Sequence, residues 1–327
     1  MTSRSSHPTP SRSPRAIAPL FALLVALSGC QTNETALTST EQAPAEAAPA
    51  EQGSPPAPHT PVRSDGSFSV PQLSLNGNPP ANAANAPGIT AKAAILIDHR
   101  GRVLFEKNAD RRIPVASTQK LLLGLMIAER GNLSQPITIQ DVDTWCEPTK
   151  MGIKAGQTYT RDELLRAVLV RSSNDIARAL ARDHSGSVSA FAANMNVRAR
   201  QLGLHNSYFT NASGLPSPPG QYSTARDLAK LGQICLRNPT VAAACRTKGL
   251  YFRFSDGTSK PVTTTNQVLR HFPYCTGLKT GYTKAAGRCL VSSATANGKS
   301  VVAVILGSKT PTVWEESDAL LRYGLGM

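Results

Sequence analysis

Three short stretches of this chain hold the residue types needed for covalent acyl transfer. Ser117-Thr118-Gln119-Lys120 follows Pro114 and opens an apolar run. On a helix, a spacing of three puts the hydroxyl and the amine on one face, within reach of each other. A serine hydroxyl is a weak nucleophile until a neighbour takes its proton, and a neutral amine can do that. Burial and a second nearby cation both lower the pKa of a lysine. A helix start adds backbone N–H groups that face developing negative charge. Ser172-Ser173-Asn174 lies 55 residues beyond Ser117. A hydroxyl at Ser172 can pass a proton to a leaving nitrogen, while the Asn174 amide orients the lysine and the substrate backbone. Lys279-Thr280-Gly281 lies 107 residues beyond Ser172 and is followed by Tyr282. Lys279 supplies the second cation, Thr280 a donor for a carboxylate, and Gly281 room for a ligand backbone. Each triplet occurs often by chance. Their order and combination carry the signal.

The surrounding pattern predicts the elements that hold these stretches. Ala93–Ile97 and Arg102–Phe105 flank Asp98-His99-Arg100-Gly101, a strand–turn–strand hairpin. Leu121–Ile127 is apolar all round, which predicts a buried helix rather than an amphipathic one. Residues 161–170, 175–181 and 187–202 have helical periodicity. Cys289–Ala294 and Val301–Leu306 flank Asn297-Gly298, a strong signal for a tight hairpin turn, and Trp314–Tyr323 reads as a closing helix. Strands at both ends with helices between predict an α/β domain over residues 91–327. Its antiparallel sheet is built from both ends of the domain and packs against a helical cluster.

The first ninety residues have another character. Arg4, Arg12 and Arg15 precede an apolar run, Ala16–Leu27, which is shorter than the roughly 20 residues a spanning helix needs. A basic start, a short apolar middle and a small-residue end describe an export signal over residues 1–29. Its ending, Leu27-Ser28-Gly29-Cys30, resembles the bacterial lipobox. The resemblance implies a diacylglyceryl group on Cys30, which anchors the chain to a membrane because each buried methylene adds about 0.8 kcal/mol. Gln31 rather than Asp follows the cysteine, which favours the outer membrane if the host has two. Residues 30–90 are rich in Ala, Pro, Ser, Asn and Gln and hold ten of the 24 prolines, so they read as a disordered tether. Its mean reach is roughly 45 Å. The formal charge is +14 in 327 residues, which suits anionic partners such as acidic lipid or wall polymer. No Lys/Arg stripe interleaved with aromatic residues is present, so nucleic acid is not expected as a partner.

The complete motif set closely resembles the penicillin-binding proteins and class A β-lactamases. Three longer stretches narrow it: Asn211-Ala212-Ser213-Gly214-Leu215, Tyr222–Ala229 and Gly277–Gly287 look like the D-alanyl-D-alanine carboxypeptidases. The resemblance covers about residues 91–325 and implies a β-lactamase/transpeptidase-like fold. It implies Ser117 as acylated nucleophile, Lys120 as general base, and Ser172 and Asn174 as relay and orienting pair. Lys279, Thr280, Gly281 and Tyr282 would bind substrate, with the N–H groups of Ser117 and Tyr282 as oxyanion hole. The substrate would be a peptidoglycan stem peptide that loses its terminal D-alanine in the cell envelope, on the extracytoplasmic side. β-Lactam antibiotics would act as covalent inhibitors.

A class A β-lactamase needs a glutamate between the second and third motifs, and the chain has none from Leu164 to Trp314. A D,D-endopeptidase, or a penicillin sensor or wall-binding lipoprotein without turnover, would carry the same motifs. Many family members also have a β-rich second domain, a C-terminal anchor helix and an arginine after the last core strand. Here the sequence reads as lacking the first two, and the last position reads Ser308-Lys309-Thr310-Pro311. The six histidines are scattered, so neither a metal nor another cofactor is implied. Beyond Cys30 lie Cys146, Cys235, Cys245, Cys275 and Cys289, an odd number in an exported chain. Cys235 and Cys245 flank Asn238-Pro239 closely enough to pair. His271, eight residues before Lys279, either lines the groove or is a surface residue.

Overall fold

The computed structural model describes Leu75 and residues 85–327, all within the compact unit Asp65–Met327. Residues 1–29, Cys30 and nearly all of the 30–90 segment lie outside the described residues.

The elements run in the order β1 (Ala93–Asp98), β2 (Val103–Lys107), a 3-10 turn (Ala116–Gln119), α1 (Lys120–Arg130), β3 (Pro136–Thr138), α2 (Asp141–Thr144), β4 (Thr158–Thr160) and α3 (Arg161–Arg171). They continue with α4 (Asn174–Ser185), α5 (Val188–Gln201), α6 (Ala225–Arg237), α7 (Pro239–Arg246), β5 (Gly249–Arg253), β6 (Ser259–Thr263) and α8 (Gln267–His271). The last four are β7 (Cys275–Thr283), β8 (Gly287–Ala296), β9 (Lys299–Ser308) and α9 (Thr312–Leu325). The main sheet is antiparallel in the order β2-β1-β9-β8-β7, so the first strands of the domain sit beside its last ones.

Both faces of this sheet are covered, and the two-residue period of a strand sorts its side chains. Ala93, Ile95 and Ile97 of β1 join the core beneath the helices, whereas Ala94 and Leu96 pack toward α9. In β9, Val302, Val304 and Leu306 face the helical cluster, and Val301, Ala303 and Ile305 face α9. A strand buried on both sides reads as a continuous apolar run, which is what β1 and β9 show.

α1 is buried from Lys120 to Ile127, and Gly124 lets Leu169 of α3 approach closely. Local chemistry sets the ends of its neighbours. Thr160 and Glu163 form a capping box that starts α3, Thr224 caps α6, and Asn238 with Pro239 starts α7. The β8–β9 turn has Asn297 and Gly298 both at positive φ, as the dipeptide predicts. The sequence did not reveal the small β3–β4 and β5–β6 ladders, α7, or α8. These elements are short, and two of their strands have only three residues. Glu316 of α9 was also missed: buried, it accepts from Thr90, Ala91 and Ser308 and pins the start of the sheet to its end.

Candidate active site

Ser117 occupies the 3-10 turn that leads into α1, one residue after Ala116, whose φ of 50° is unusual for a residue with a side chain. Lys120 is the first residue of α1 and is fully buried. Its Nζ donates to Ser117 Oγ at 2.8 Å, Asn174 Oδ1 at 2.7 Å and the Ser213 carbonyl at 2.6 Å. Burial first, and then the charge of Lys279, hold its amine well below the usual lysine value. An amine so placed gives up its proton readily and can accept one from the serine.

The second stretch sits where α3 ends and α4 begins. Ser172 is the left-handed cap of α3, at φ 68°, and is buried. Strained backbone of this kind is characteristic of functional sites. Asn174 opens α4, and its Nδ2 donates to the Pro148 carbonyl at 2.5 Å. Its neighbour Asp175 accepts from the backbone N–H groups of Met151 and Gly152, at 3.0 and 2.9 Å. Loop 145–152 is thereby tied to the base of the site. The Ser172 hydroxyl makes none of the bonds that join Ser117, Lys120 and Asn174.

The third stretch is the edge strand β7. Lys279 is buried, its Nζ bonded to the Thr280 carbonyl at 3.0 Å, and burial pushes its amine down to about 7. The Thr280 hydroxyl lies 2.6 Å from that of Thr265, whose N–H bonds the Val170 carbonyl. Gly281 runs against the serine turn: a Cβ there would stand 2.9 Å from the Val115 carbonyl and 3.0 Å from Ser117 N. Only glycine allows that approach. Tyr282, the next residue, is exposed.

Ser117, Lys120 and Asn174 are thus in direct contact, Gly281 touches the serine turn, and Lys279 is close enough to depress Lys120. The site also contains parts that spacing did not reveal. The Ser213 carbonyl accepts from both Lys120 and Ser117. Asn211 shapes that turn by accepting from the N–H groups of Ser213 and Gly214. Gly214, at φ +87°, lies so close that a Cβ would meet the Ala116 carbonyl oxygen at 2.2 Å. The stretch Asn211–Leu215 was visible in the sequence only as a likeness, because a carbonyl has no residue-type signature.

One expectation outside the centre turns out differently. Cys235 and Cys245 do not pair, and all five described cysteines are free thiols. Cys235 Sγ turns toward the Leu121 carbonyl, and Cys245 packs under Gly277 of β7. His271 is an exposed residue in a cleft with Trp314 and Arg322 of α9. No cluster of His, Cys, Asp or Glu suited to a metal occurs among the described residues.

Residues 80–310 match the family model described as D-alanyl-D-alanine carboxypeptidase, peptidase S11. The chain belongs to this D-alanyl-D-alanine carboxypeptidase family. It is 33% identical over 227 residues to the D-alanyl-D-alanine carboxypeptidase DacF of Bacillus subtilis, covering 68% of this chain and 58% of the relative. With DacB2 of Mycobacterium tuberculosis it shares 32% over 254 residues, 76% of this chain and 87% of that one. The crystal structure of a D-alanyl-D-alanine carboxypeptidase from M. tuberculosis H37Rv superposes with a TM-score of 0.72 at 29% identity, covering 77% of this chain and 97% of that one. The family's penicillin-binding fold is therefore also this chain's, a sheet assembled from both ends of the domain with helices on either side.

Proposed function

We propose that residues 91–327 form a serine D-alanyl-D-alanine carboxypeptidase that removes the terminal D-alanine from peptidoglycan stem peptides. The observation that carries this reading is the buried Lys120 amine, 2.8 Å from Ser117 Oγ and held by two further acceptors. Lys120 takes the Ser117 proton as Oγ attacks the carbonyl of the penultimate D-alanine. The oxyanion forms against the N–H groups of Ser117 and Tyr282, a reading supported by the close packing of Gly281 on the serine turn. Ser172 relays the proton held by Lys120 to the departing D-alanine nitrogen, so that the C–N bond breaks and Lys120 is neutral again. Water then hydrolyses the Ser117 ester, with Lys120 again as base. Asn174 and the Ser213 carbonyl keep the amine aimed at the serine. Thr280 and Lys279 hold the substrate carboxylate, whose charge favours the ammonium form of Lys279.

β-Lactams, as cyclic acyl donors, acylate the same serine. The described residues include no helix long and apolar enough to cross a membrane. We propose that a lipid on Cys30 and the 30–90 tether hold the domain in the cell envelope, on the extracytoplasmic side, following removal of residues 1–29.

The test is hydrolysis of a pentapeptide ending in D-Ala-D-Ala, together with labelling by fluorescent penicillin. The wild-type chain should release D-alanine and take the label, and Ser117→Ala should do neither. Release that persists in Ser117→Ala would overturn the assignment. Fatty-acid labelling that persists in Cys30→Ala would overturn the anchor.

A further inference from the structure

The β5–β6 hairpin leaves the site as a two-stranded arm. Its second strand ends at Thr263, and shortly after it the Thr265 hydroxyl stands 2.6 Å from that of Thr280. The register pairs Tyr251 with Pro261, Arg253 with Ser259 and Gly249 with Thr263. Alternate residues of a strand share a face. One face therefore carries Leu250, Phe252 and Val262, which pack on the helical core, where the Phe252 ring centroid lies 5.2 Å from those of Tyr159 and Phe254. The other face presents Tyr251, Pro261 and Arg253, all exposed.

The inner face and the tip hold this arm still. Ser255 accepts from the Thr158 N–H at 3.2 Å and donates to the Thr158 carbonyl at 3.1 Å, and the Lys248 carbonyl accepts from the Thr264 N–H at 2.9 Å. Tyr251 is 78% exposed, so its ring adds little to the core. A tyrosine and a proline directly opposed on a stiff sheet face make a small apolar platform with a polar edge. One face of a pyranose ring presents C–H bonds, whose partial positive charge suits the negative face of an aromatic ring. Charge points to the same kind of ligand. Lys248, Arg253 and Lys260 join no ion pair among the described residues, whereas Arg161, Arg182, Arg198 and Arg226 each face a carboxylate. Asp256, the one acid between Lys248 and Thr263, turns into its own loop and accepts from Thr258. Such a face complements a sugar polymer rich in amide acceptors and carboxylates. Its distance from the site also fits. Pro261 precedes Thr265 by four residues, a span of at most roughly 14 Å, and four stem residues separate the scissile bond of a pentapeptide from its sugar.

We propose that the outer face of the β5–β6 hairpin binds the sugar chain of peptidoglycan, with one hexosamine ring lying on Tyr251 and Pro261 and its polar groups reaching Arg253. The inference rests on the carboxypeptidase reading, which supplies the polymer. It makes stem peptides still attached to glycan better substrates than free ones.

The experiment uses the full chain with Cys30→Ser, so that no lipid contributes, and adds Tyr251→Ala, Tyr251→Phe or Arg253→Ala. Two measurements are made: binding to glycan strands freed of peptide, and D-alanine release from a free pentapeptide and from the same stem on a glycan strand. Tyr251→Ala should weaken strand binding and lower kcat/KM on the glycan-linked stem by about 3–10-fold. Its thermal midpoint, its penicillin acylation and its rate on the free pentapeptide should stay unchanged. Tyr251→Phe, which keeps the ring, should retain most of the binding, and Arg253→Ala should lose part of it. Equal rates of Tyr251→Ala and its parent on the glycan-linked stem, or a parent chain that does not bind the strands, would overturn the proposal. So would binding lost in Arg253→Ala but kept in Tyr251→Ala, since that describes a charged patch rather than a sugar platform. Binding to vesicles of phosphatidylglycerol and phosphatidylethanolamine, without binding to strands, would assign the face to lipid and likewise overturn it. Strand binding that depends on Tyr251 in a chain that releases no D-alanine would support the platform while the carboxypeptidase reading falls.

Discussion

Lys120 Nζ and Asn174 Oδ1 stand 2.7 Å apart, and the two residues are the first of α1 and the first of α4. Two helix starts thus converge on one buried amine, one bringing the base and the other its acceptor. Asn174 is tied in turn to the Pro148 carbonyl, so the acceptor cannot swing away.

Removing that acceptor should loosen the base without touching the nucleophile. Asn174→Ala is expected to slow acylation of Ser117 by fluorescent penicillin by about 100-fold. Ser117 should still become labelled over long incubation. A variant that acylates at the wild-type rate would show that the amide plays no part in aiming the amine.

Gly214 should tolerate no side chain. A methyl group there would stand 2.2 Å from the Ala116 carbonyl oxygen, at a φ of +87°. Gly214→Ala is expected to cost more than about 2 kcal/mol of stability and to abolish acylation, because the Ser117 turn must move to admit it. Urea unfolding and penicillin labelling check both. A variant with wild-type midpoint and labelling would refute the close approach.

Lys279 gives stability a pH dependence of definite sign. Folding lowers its pKa from an ordinary 10.5 to about 7. Between those values the unfolded chain holds a proton that the folded chain has released, so stability from this group rises with pH across the window. Lys120, shifted in the same direction, adds to the rise. Lys279→Met should therefore be more stable than wild type near pH 7, with an advantage that shrinks toward pH 10. An advantage that stays constant with pH would contradict the buried, depressed amine.

The thiols offer a direct count. Cys235, Cys245, Cys275 and Cys289 are buried, and burial pushes the Cys245 thiol up to about 12; Cys146 is half-exposed. In a Cys30→Ser variant without reductant, native protein should react with maleimide slowly and only at Cys146. After denaturation five thiols should react. A count of three would mean that a disulfide joins two of them.

Much of the domain can be read in the chain because its signals are local. The β1–β2 and β8–β9 hairpins follow from apolar runs around turn residues, and the burial of α1 from its unbroken apolar surface. The serine–lysine contact follows from a helical spacing of three. The side-chain types at Ser117, Asn174 and Lys279 are written in the sequence as well, in an order that random chains seldom repeat. Their meeting is another matter, because it joins segments 55 and 107 residues apart, and no periodicity encodes a contact between distant segments. Folding alone brings the Ser213 carbonyl onto Lys120, lets Asp175 anchor the loop at Met151, and sets Arg288 across from Tyr282. It also leaves Cys235 and Cys245 unpaired despite their nearness in the chain. A backbone carbonyl looks the same in every residue, and a side chain's partner depends on which strand or helix packs beside it. Residue types therefore supply the chemistry, while packing decides which groups are close enough to use it.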